Sequence, residues 1–177
     1  MASRLSYDLS CARLRELGLL DGDSHPPIPE RLPRHDDNEP LGFSIFRTRL
    51  ADALDLSDLT LPRTFFGRSE IKRVSFRNCD LCESNLCWND FLGTDLTGAD
   101  LAGSDMRSSL FQQVLFITTN LNGADLRQSS FIDCDFKDAV MKGAVLTRQQ
   151  ANAMCLAETQ KQEIDWRDES GPEPDGG

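Results

Sequence analysis

Histidine is scarce in this chain of 177 residues, and its placement limits the chemistry that can be expected of it. The only two histidines, His25 and His35, lie in a stretch with five prolines between residues 25 and 40. Enzymes usually need a positioned base or nucleophile, and histidine is the base they use most often. We therefore expect no enzymatic activity, no catalytic residues and no bound cofactor.

The chain also lacks an excess of positive charge, a long apolar run and an apolar signal segment at its N-terminus. It holds 19 Lys and Arg against 29 Asp and Glu, a net charge of −10, whereas nucleic-acid binders carry a basic surface. No apolar run approaches the roughly 18 residues of a membrane helix. Six cysteines without an export signal favour reduced thiols in a cytoplasm. We expect a cytoplasmic protein that binds neither nucleic acid nor membrane directly.

Large apolar residues recur at every fifth position, and we call them the central residues. The residue two positions before each of them is never larger than valine or asparagine. A period of five suits neither a helix nor a flat strand, so the chain must turn a corner every five residues. Four corners close one coil of twenty residues. The sixteen central residues are Ile71, Phe76, Leu81, Leu86, Phe91, Leu96, Leu101, Met106, Phe111, Phe116, Leu121, Leu126, Phe131, Phe136, Met141 and Leu146.

Taking every twentieth residue sorts the central residues into four stacks, one for each face of the solenoid. Phenylalanine is confined to two adjacent faces, and leucine and methionine fill the other two. The first face holds Ile71, Phe91, Phe111 and Phe131; the second holds Phe76, Leu96, Phe116 and Phe136; the third holds Leu81, Leu101, Leu121 and Met141; the fourth holds Leu86, Met106, Leu126 and Leu146.

The pattern resembles the pentapeptide-repeat family, whose consensus is A(D/N)Lxx. Ala99-Asp100-Leu101-Ala102-Gly103 and Ala124-Asp125-Leu126-Arg127-Gln128 match it closely. The resemblance covers about half of the chain. It implies an all-β solenoid, a right-handed quadrilateral parallel β-helix of about four to five coils. Members of the family share a shape rather than a function, so the resemblance says little about activity.

The ends of the chain depart from the repeat, and a solenoid needs capped ends. Residues 1–52 are predicted to form an amphipathic helix that ends at Gly18, the proline-rich arm and a lead-in segment. The β-helix is predicted over residues 53–148, with a degenerate first coil and regular repeats from 69. Residues 149–177 are predicted to complete a capping helix over Arg148 to Glu163, with Thr147 as N-cap, followed by an acidic disordered tail.

Two groups of chemically active side chains are expected to be structural. Aspartates stand just before many central residues, point outward and are expected to help the corners turn. Cys79 and Cys82 have CxxC spacing, which can indicate metal or redox chemistry. Cys79 occupies an inward position and Cys82 an outward one, so this pair cannot chelate a metal or form a disulfide. We therefore predict no metal site.

Outward positions of a regular coil should be polar, but five apolar residues break this rule in neighbouring coils. Leu92, Leu110 and Ile132 point outward on the first face, and Leu115 and Ile117 on the second. We call these five residues the interaction patch, because exposed apolar patches usually mark an interface. Three occupants are open: the N-terminal segment of the same chain, a second copy in a homodimer, or another protein. Trp88 is a separate outward aromatic and a candidate anchor.

These observations favour a non-enzymatic protein-protein interaction module whose partner the sequence does not name. The family resemblance supplies an alternative, since some members look like duplex DNA and bind type II topoisomerases such as gyrase, protecting them from inhibitors. The overall acidity fits that alternative. However, four coils span only about 20 Å, and residues 64–148 carry a net charge of just −2.

Overall fold

The computed structural model describes residues 3–20, 42–50 and 52–167, and these form a four-sided, right-handed parallel β-helix of about six coils with helices at both ends. The proline-rich arm and the acidic tail that follows Arg167 lie outside the described residues. The three helices are α1 (Tyr7–Glu16), α2 (Arg148–Ala151) and α3 (Glu158–Glu163). The strands are β1 (Ser44–Phe46), β2 (Phe65–Gly67), β3 (Glu70–Lys72), β4 (Asp90–Leu92), β5 (Leu110–Gln112), β6 (Ser130–Ile132), β7 (Val145–Leu146) and β8 (Asp165–Trp166).

The first face is a four-stranded parallel sheet in the order β3-β4-β5-β6. Its strands pair in a register of twenty residues, which aligns Ile71 with Phe91, and Phe111 with Phe131. The other faces are joined mainly by single parallel bridges in the same register, such as Asp80 to Asp100. The coil length predicted from the repeat is therefore confirmed.

The core is the stack of central residues that the repeat predicts. All sixteen are buried, at most 5% exposed. Phenylalanine rings of successive coils lie almost parallel: the ring centroids of Phe91 and Phe111 are 5.0 Å apart, and those of Phe116 and Phe136 are 4.7 Å apart. Stacking therefore adds directional ring contacts to the burial of apolar surface, which single coils cannot supply alone.

Polar residues in the second inward column complete the hydrogen bonding of the interior. The backbone N–H of Ser69 donates to Oδ1 of Asn89 at 2.9 Å, and the N–H of Asn89 donates to Oγ of Ser109 at 3.0 Å. Ser109 Oγ in turn donates to the carbonyl oxygen of Leu86 at 2.9 Å. Small hydroxyl and amide side chains therefore serve backbone groups that the core would otherwise leave unpaired.

The solenoid begins earlier than residue 53 and has about six coils instead of four to five. Strand β1 pairs with β2 in a register of 21 residues, which aligns Ile45 with Phe66. From the bridge between Asp55 and Ser75 onward, the register is twenty. The first coil thus holds one extra residue between the buried Leu50 and Leu56. This extra residue interrupts the five-residue frame, so the repeat does not indicate the true start.

Helix α1 closes the N-terminal end of the solenoid. Ser6 caps it, and Gly18, just past its C-cap at Leu17, adopts a positive φ of 68°, as the sequence predicts for its end. The Oγ of the fully buried Ser10 accepts a hydrogen bond from the N–H of Thr60 at 2.8 Å. Leu14 is fully buried against the core. The helix is therefore fixed to the first coil by both polar and apolar contacts.

The C-terminal cap consists of two short helices and a strand, where a single helix was predicted. Thr147 is the N-cap of α2, as predicted. Strand β8 pairs with β7 in the twenty-residue register, so the fourth face continues one coil beyond Leu146. The residues between β7 and β8 thus replace one coil of strands and corners.

A glutamine in each short helix satisfies the carbonyl groups of the last regular coil. Gln150 Nε2 donates to the carbonyl oxygens of Leu126 and Ser129 at 2.7 and 2.8 Å. Gln160 Nε2 donates to those of Phe136 and Ala139 at 2.8 and 2.9 Å. In both cases the carbonyls are 24 and 21 residues earlier, so the two helices end the solenoid in the same way.

Every corner from residue 58 to residue 143 places one residue in the left-handed region. This corner residue stands two positions after each central residue, and its φ lies between 50° and 69°. Five of these corner residues are glycines, and the other thirteen carry side chains. A side chain in this region costs about 1–2 kcal/mol, so the remaining interactions must offset a strain repeated at each corner.

The cost of the left-handed corner can be measured at Gly123, which has a φ of 65° and no atom of the described residues within 4 Å of an added Cβ. We expect Gly123→Ala to lower the free energy of unfolding by about 1 kcal/mol, because backbone strain is the only change. Urea denaturation measures this loss of stability. Gln113→Ala, at a corner with a φ of 54° that already carries a side chain, should change stability by much less; equal losses would contradict this explanation.

The glutamine cap can be tested by Gln160→Met, which keeps the shape of the side chain but removes its hydrogen bonds. We expect a loss of about 2 kcal/mol in the free energy of unfolding, because buried carbonyl groups lose their donor. Gln162→Met changes an exposed residue of the same helix and is the control. If both variants denature at the same urea concentration, Gln160 does not terminate the solenoid in this way.

Candidate protein-interaction surface

The structure brings the residues of the interaction patch together on two adjoining faces. On the first face, Leu92 aligns with Gln112, and Gln112 with Ile132. Leu110 stands in the parallel row between Asp90 and Ser130. The apolar side chains therefore alternate with polar ones over three successive coils.

The remaining two patch residues lie on the second face, one corner beyond Gln112. Leu115 stands between Asp95 and Asp135 in its stack, and Ile117 follows on the other side of the central residue Phe116. Leu115 and Ile117 therefore stand at outward positions where the neighbouring coils carry polar residues.

The patch residues differ in exposure. Ile132 and Leu115 are 45% and 37% exposed, whereas Leu92, Leu110 and Ile117 are half-buried. Trp88, at the opposite corner of the first face, is 63% exposed. The surface that a partner can reach thus centres on Ile132, Leu115 and Trp88.

Helix α1 does not lie over the interaction patch. Its contacts are with the edge of the first coil, where the N–H of Leu5 donates to the carbonyl of Asp58 at 2.8 Å and Ser10 bonds Thr60. The proline-rich arm, which is the rest of the predicted cover, is outside the described residues. The patch is thus free of the N-terminal helix.

Charges of both signs border the interaction patch along the solenoid axis. Exposed Lys72 and Asp90 lie on its N-terminal side, and exposed Asp135 and Lys137 lie on its C-terminal side. Lys72 is aligned with Leu92 in the row that ends at Ile132. A partner that crosses the coils would therefore meet charges of both signs at each end of the patch.

The outward aspartates stabilise the corners, as the sequence predicts. In Asp80, Asp95, Asp100 and their equivalents, Oδ1 accepts a hydrogen bond from the backbone N–H two residues later, at 2.9 to 3.1 Å. This bond is the local side-chain turn that aspartate commonly forms. These carboxylates therefore have a structural role at each corner.

Arginines add ion pairs to this turn on the fourth face. Arg107 and Arg127 pair with Asp105 and Asp125 at 2.8 Å each. Burial alone would raise the pKa of Asp105, but the hydrogen bonds from the side chain and backbone of Arg107 outweigh it and lower the pKa below its ordinary value.

The cysteines of the CxxC sequence are poor nucleophiles. Cys79 is fully buried, and its Sγ donates to the carbonyl oxygen of Leu56 at 2.8 Å. Burial raises the pKa of both Cys79 and Cys82 to about 12. Thiolates are the reactive and metal-binding form. In the described residues, no group of three or more His, Cys, Asp and Glu side chains is arranged to hold a metal ion.

Two further outward apolar residues, Val140 and Val145, stand near the C-terminal cap, where a single long helix would cover both. Val145 is half-buried beside β8, but Val140 remains 45% exposed. The reason is that the cap is divided into α2 and α3, so no long helix crosses the third face.

The acid stability of the fold should depend on Asp105. A carboxyl whose pKa is lower in the folded chain stabilises the fold above its unfolded pKa, near 3.8, and loses this effect as the pH falls through the folded pKa. Asp105→Asn keeps an acceptor for the turn, as Asn85 does in the same stack. We expect it to lose stability above about pH 4 and to weaken the pH dependence of unfolding below that value.

Urea denaturation at several pH values measures this dependence. Asn85→Ala, which removes a neutral acceptor of the same turn, should change stability equally at all pH values. A wild-type and an Asp105→Asn profile that run parallel down to acid pH would contradict the assignment.

Comparisons with known proteins agree with this architecture. The family described as pentapeptide repeats matches residues 69–107, 90–113 and 109–148, in 8 copies. No curated protein sequence matches the chain. No helix among the described residues is long and apolar enough to cross a membrane.

Solved structures with a similar fold include two from cyanobacteria. HetL, a pentapeptide repeat protein involved in heterocyst differentiation regulation in Nostoc sp. strain PCC 7120, is 17% identical with a TM-score of 0.50. The match covers 60% of this chain and 48% of HetL, so the chain spans about half the length of HetL. Rfr23 from Cyanothece 51142 is 21% identical with a TM-score of 0.52, over 55% of this chain and 80% of Rfr23.

QnrB1, described as a plasmid-mediated fluoroquinolone resistance protein, is 18% identical over 67% of this chain and 74% of its own. Its TM-score of 0.31 supports no structural inference. At these identities, the likeness to HetL and Rfr23 shows the fold alone.

Proposed function

Since the chain belongs to the pentapeptide-repeat family, we propose that it is a non-enzymatic protein-interaction module, cytoplasmic in location, that binds a partner protein through the interaction patch. The observation that supports this most directly is the exposure of Leu115 and Ile132 at positions where the neighbouring coils carry polar residues. Apolar surface of this kind usually marks an interface.

The scaffold suits this function because it holds the patch in place before binding. Each patch residue stands on a short segment between a buried central residue and a fixed corner, and every coil is bonded to the next. A surface that is ordered beforehand loses little conformational entropy when a partner docks. The half-buried Leu92 and Leu110 would add contact area around the more exposed residues.

DNA mimicry of the kind that targets gyrase has less support. A DNA mimic needs a row of unpaired negative charge, whereas Asp105 and Asp125 pair with arginines. The apolar patch is therefore the better candidate site.

The proposal is tested with substitutions that the fold already accepts. Leu115→Ser introduces the residue that Ser75 provides in the same stack, and Ile132→Gln introduces the residue of Gln112. The double variant should fold normally and lose the partner that the wild type captures from a lysate of its own organism. The control, Val145→Asn, copies Asn85 on the fourth face and should still capture it.

Light scattering at increasing protein concentration distinguishes a second copy of this chain from a different partner protein. A wild type that dimerises, with a double variant that stays monomeric, would identify a second copy as the occupant. A different captured protein, lost only by the double variant, would identify a foreign partner. If the double variant captures the same proteins and has the same mass as the wild type, the patch is not the interaction site.

A further inference from the structure

A groove separates helix α3 from the corner between the second and third faces in the last regular coil. Its volume is about 780 Å³, within the usual range of ligand-binding sites. Val140 and Leu156 contribute apolar surface to it, and Asp138 and Glu163 contribute carboxylates. The interaction patch has no residue in this groove.

Val140 breaks the pattern of its own stack. The preceding residues at this outward position are Thr60, Asp80, Asp100 and Asn120, all polar. Val140 is 45% exposed although α3 lies beside it. Neither the interior nor the cap therefore accounts for an apolar residue here.

The charged side chains of the groove are largely unpaired. Within the described residues, Asp138 and Glu163 make no side-chain hydrogen bond or ion pair, and both are exposed. Asp135, also in the lining, accepts only the backbone N–H of Lys137 at 2.9 Å. Among the described residues of the lining, Lys137 is the single cation against three carboxylates, so the groove carries an excess of negative charge.

A second groove, beside α2, shows that the scaffold does not require this charge. Gln150 donates to backbone carbonyls of the coil beneath α2, as Gln160 does beneath α3. Its lining includes Gln128, Ser130 and Gln149 and, among the residues that the structure describes, contains no charged one. Two grooves built by equivalent caps thus differ in charge, so the carboxylates beside α3 are not a consequence of the cap.

We propose that the groove beside α3 binds a basic segment of a partner polypeptide. Lysine and arginine side chains can lay their methylene groups on apolar surface while keeping the charged end in a polar environment. Here the methylene groups contact Val140 and Leu156, and the cation lies near Asp138 and Glu163. The apolar floor and the unpaired carboxylates thus recognise different parts of one side chain.

The test is a titration of the full chain with a short capped peptide of alternating arginine and leucine, followed by backbone amide NMR. We expect saturable shifts concentrated at residues such as Val140, Gly143 and Glu163. Asp138→Asn/Glu163→Gln should weaken binding by at least about tenfold through the loss of charge pairing. Val140→Asn, which copies Asn120 of the same stack, should weaken it through the lost apolar contact.

Asp133→Asn removes an exposed carboxylate outside the groove and should leave binding unchanged. The proposal is overturned if the shifts spread over the acidic surface, if Asp133→Asn weakens binding as much as the groove variants, or if Val140→Asn has no effect. It is also overturned if spermidine, a cation without side-chain specificity, binds at the groove as tightly as the peptide.

Discussion

The left-handed corner is the constraint on which the rest of the structure depends. A chain that turns a right angle every five residues needs one residue per corner with a positive φ, and eighteen successive corners meet this need. Most of them do so with residues other than glycine, at a cost in strain. The stacked phenylalanines and the interior hydroxyl groups offset that strain through contacts that need the neighbouring coil. The aspartate turns add a local hydrogen bond within each coil.

This arrangement explains why the fold carries little information about function. Only the central residue and the small residue two before it face inward, so the outward positions can change without altering the coil. The stack of Asn85, Asp105, Asp125 and Val145 contains three residue types on one backbone geometry. Function therefore has to be inferred from departures at outward positions, and Leu115, Ile132 and Val140 are such departures.

The sequence predicts the parts of the fold that follow from periodicity and local chemistry. All sixteen central residues, the N-cap at Thr147 and the helix end at Gly18 depend on spacing or on single residues, and the structure confirms them. The start of the solenoid could not be predicted, because one extra residue after Leu50 shifts the frame. The divided cap was missed as well, since Gln150 and Gln160 act on carbonyls more than twenty residues away.

The candidate surfaces, like the fold, could be predicted only in part from the sequence. Periodicity predicts which side chains point outward, but not that Leu92 is half-buried while Ile132 is open, since exposure depends on neighbours in adjacent coils. The groove beside α3 could not be anticipated, because it exists only where the cap meets the last coil.

The two terminal glutamines have a consequence for how proteins of this kind can change length over evolution. Each acts only on the coil directly beneath it, so a duplication of twenty residues farther back would lengthen the solenoid and leave the terminator intact. Loss of either amide would instead leave a coil edge with unsatisfied carbonyls, the kind of edge that recruits another chain into a fibre. The length of such a protein can therefore change by whole coils, while the two glutamines, the helices that carry them and strand β8 keep the last coil closed.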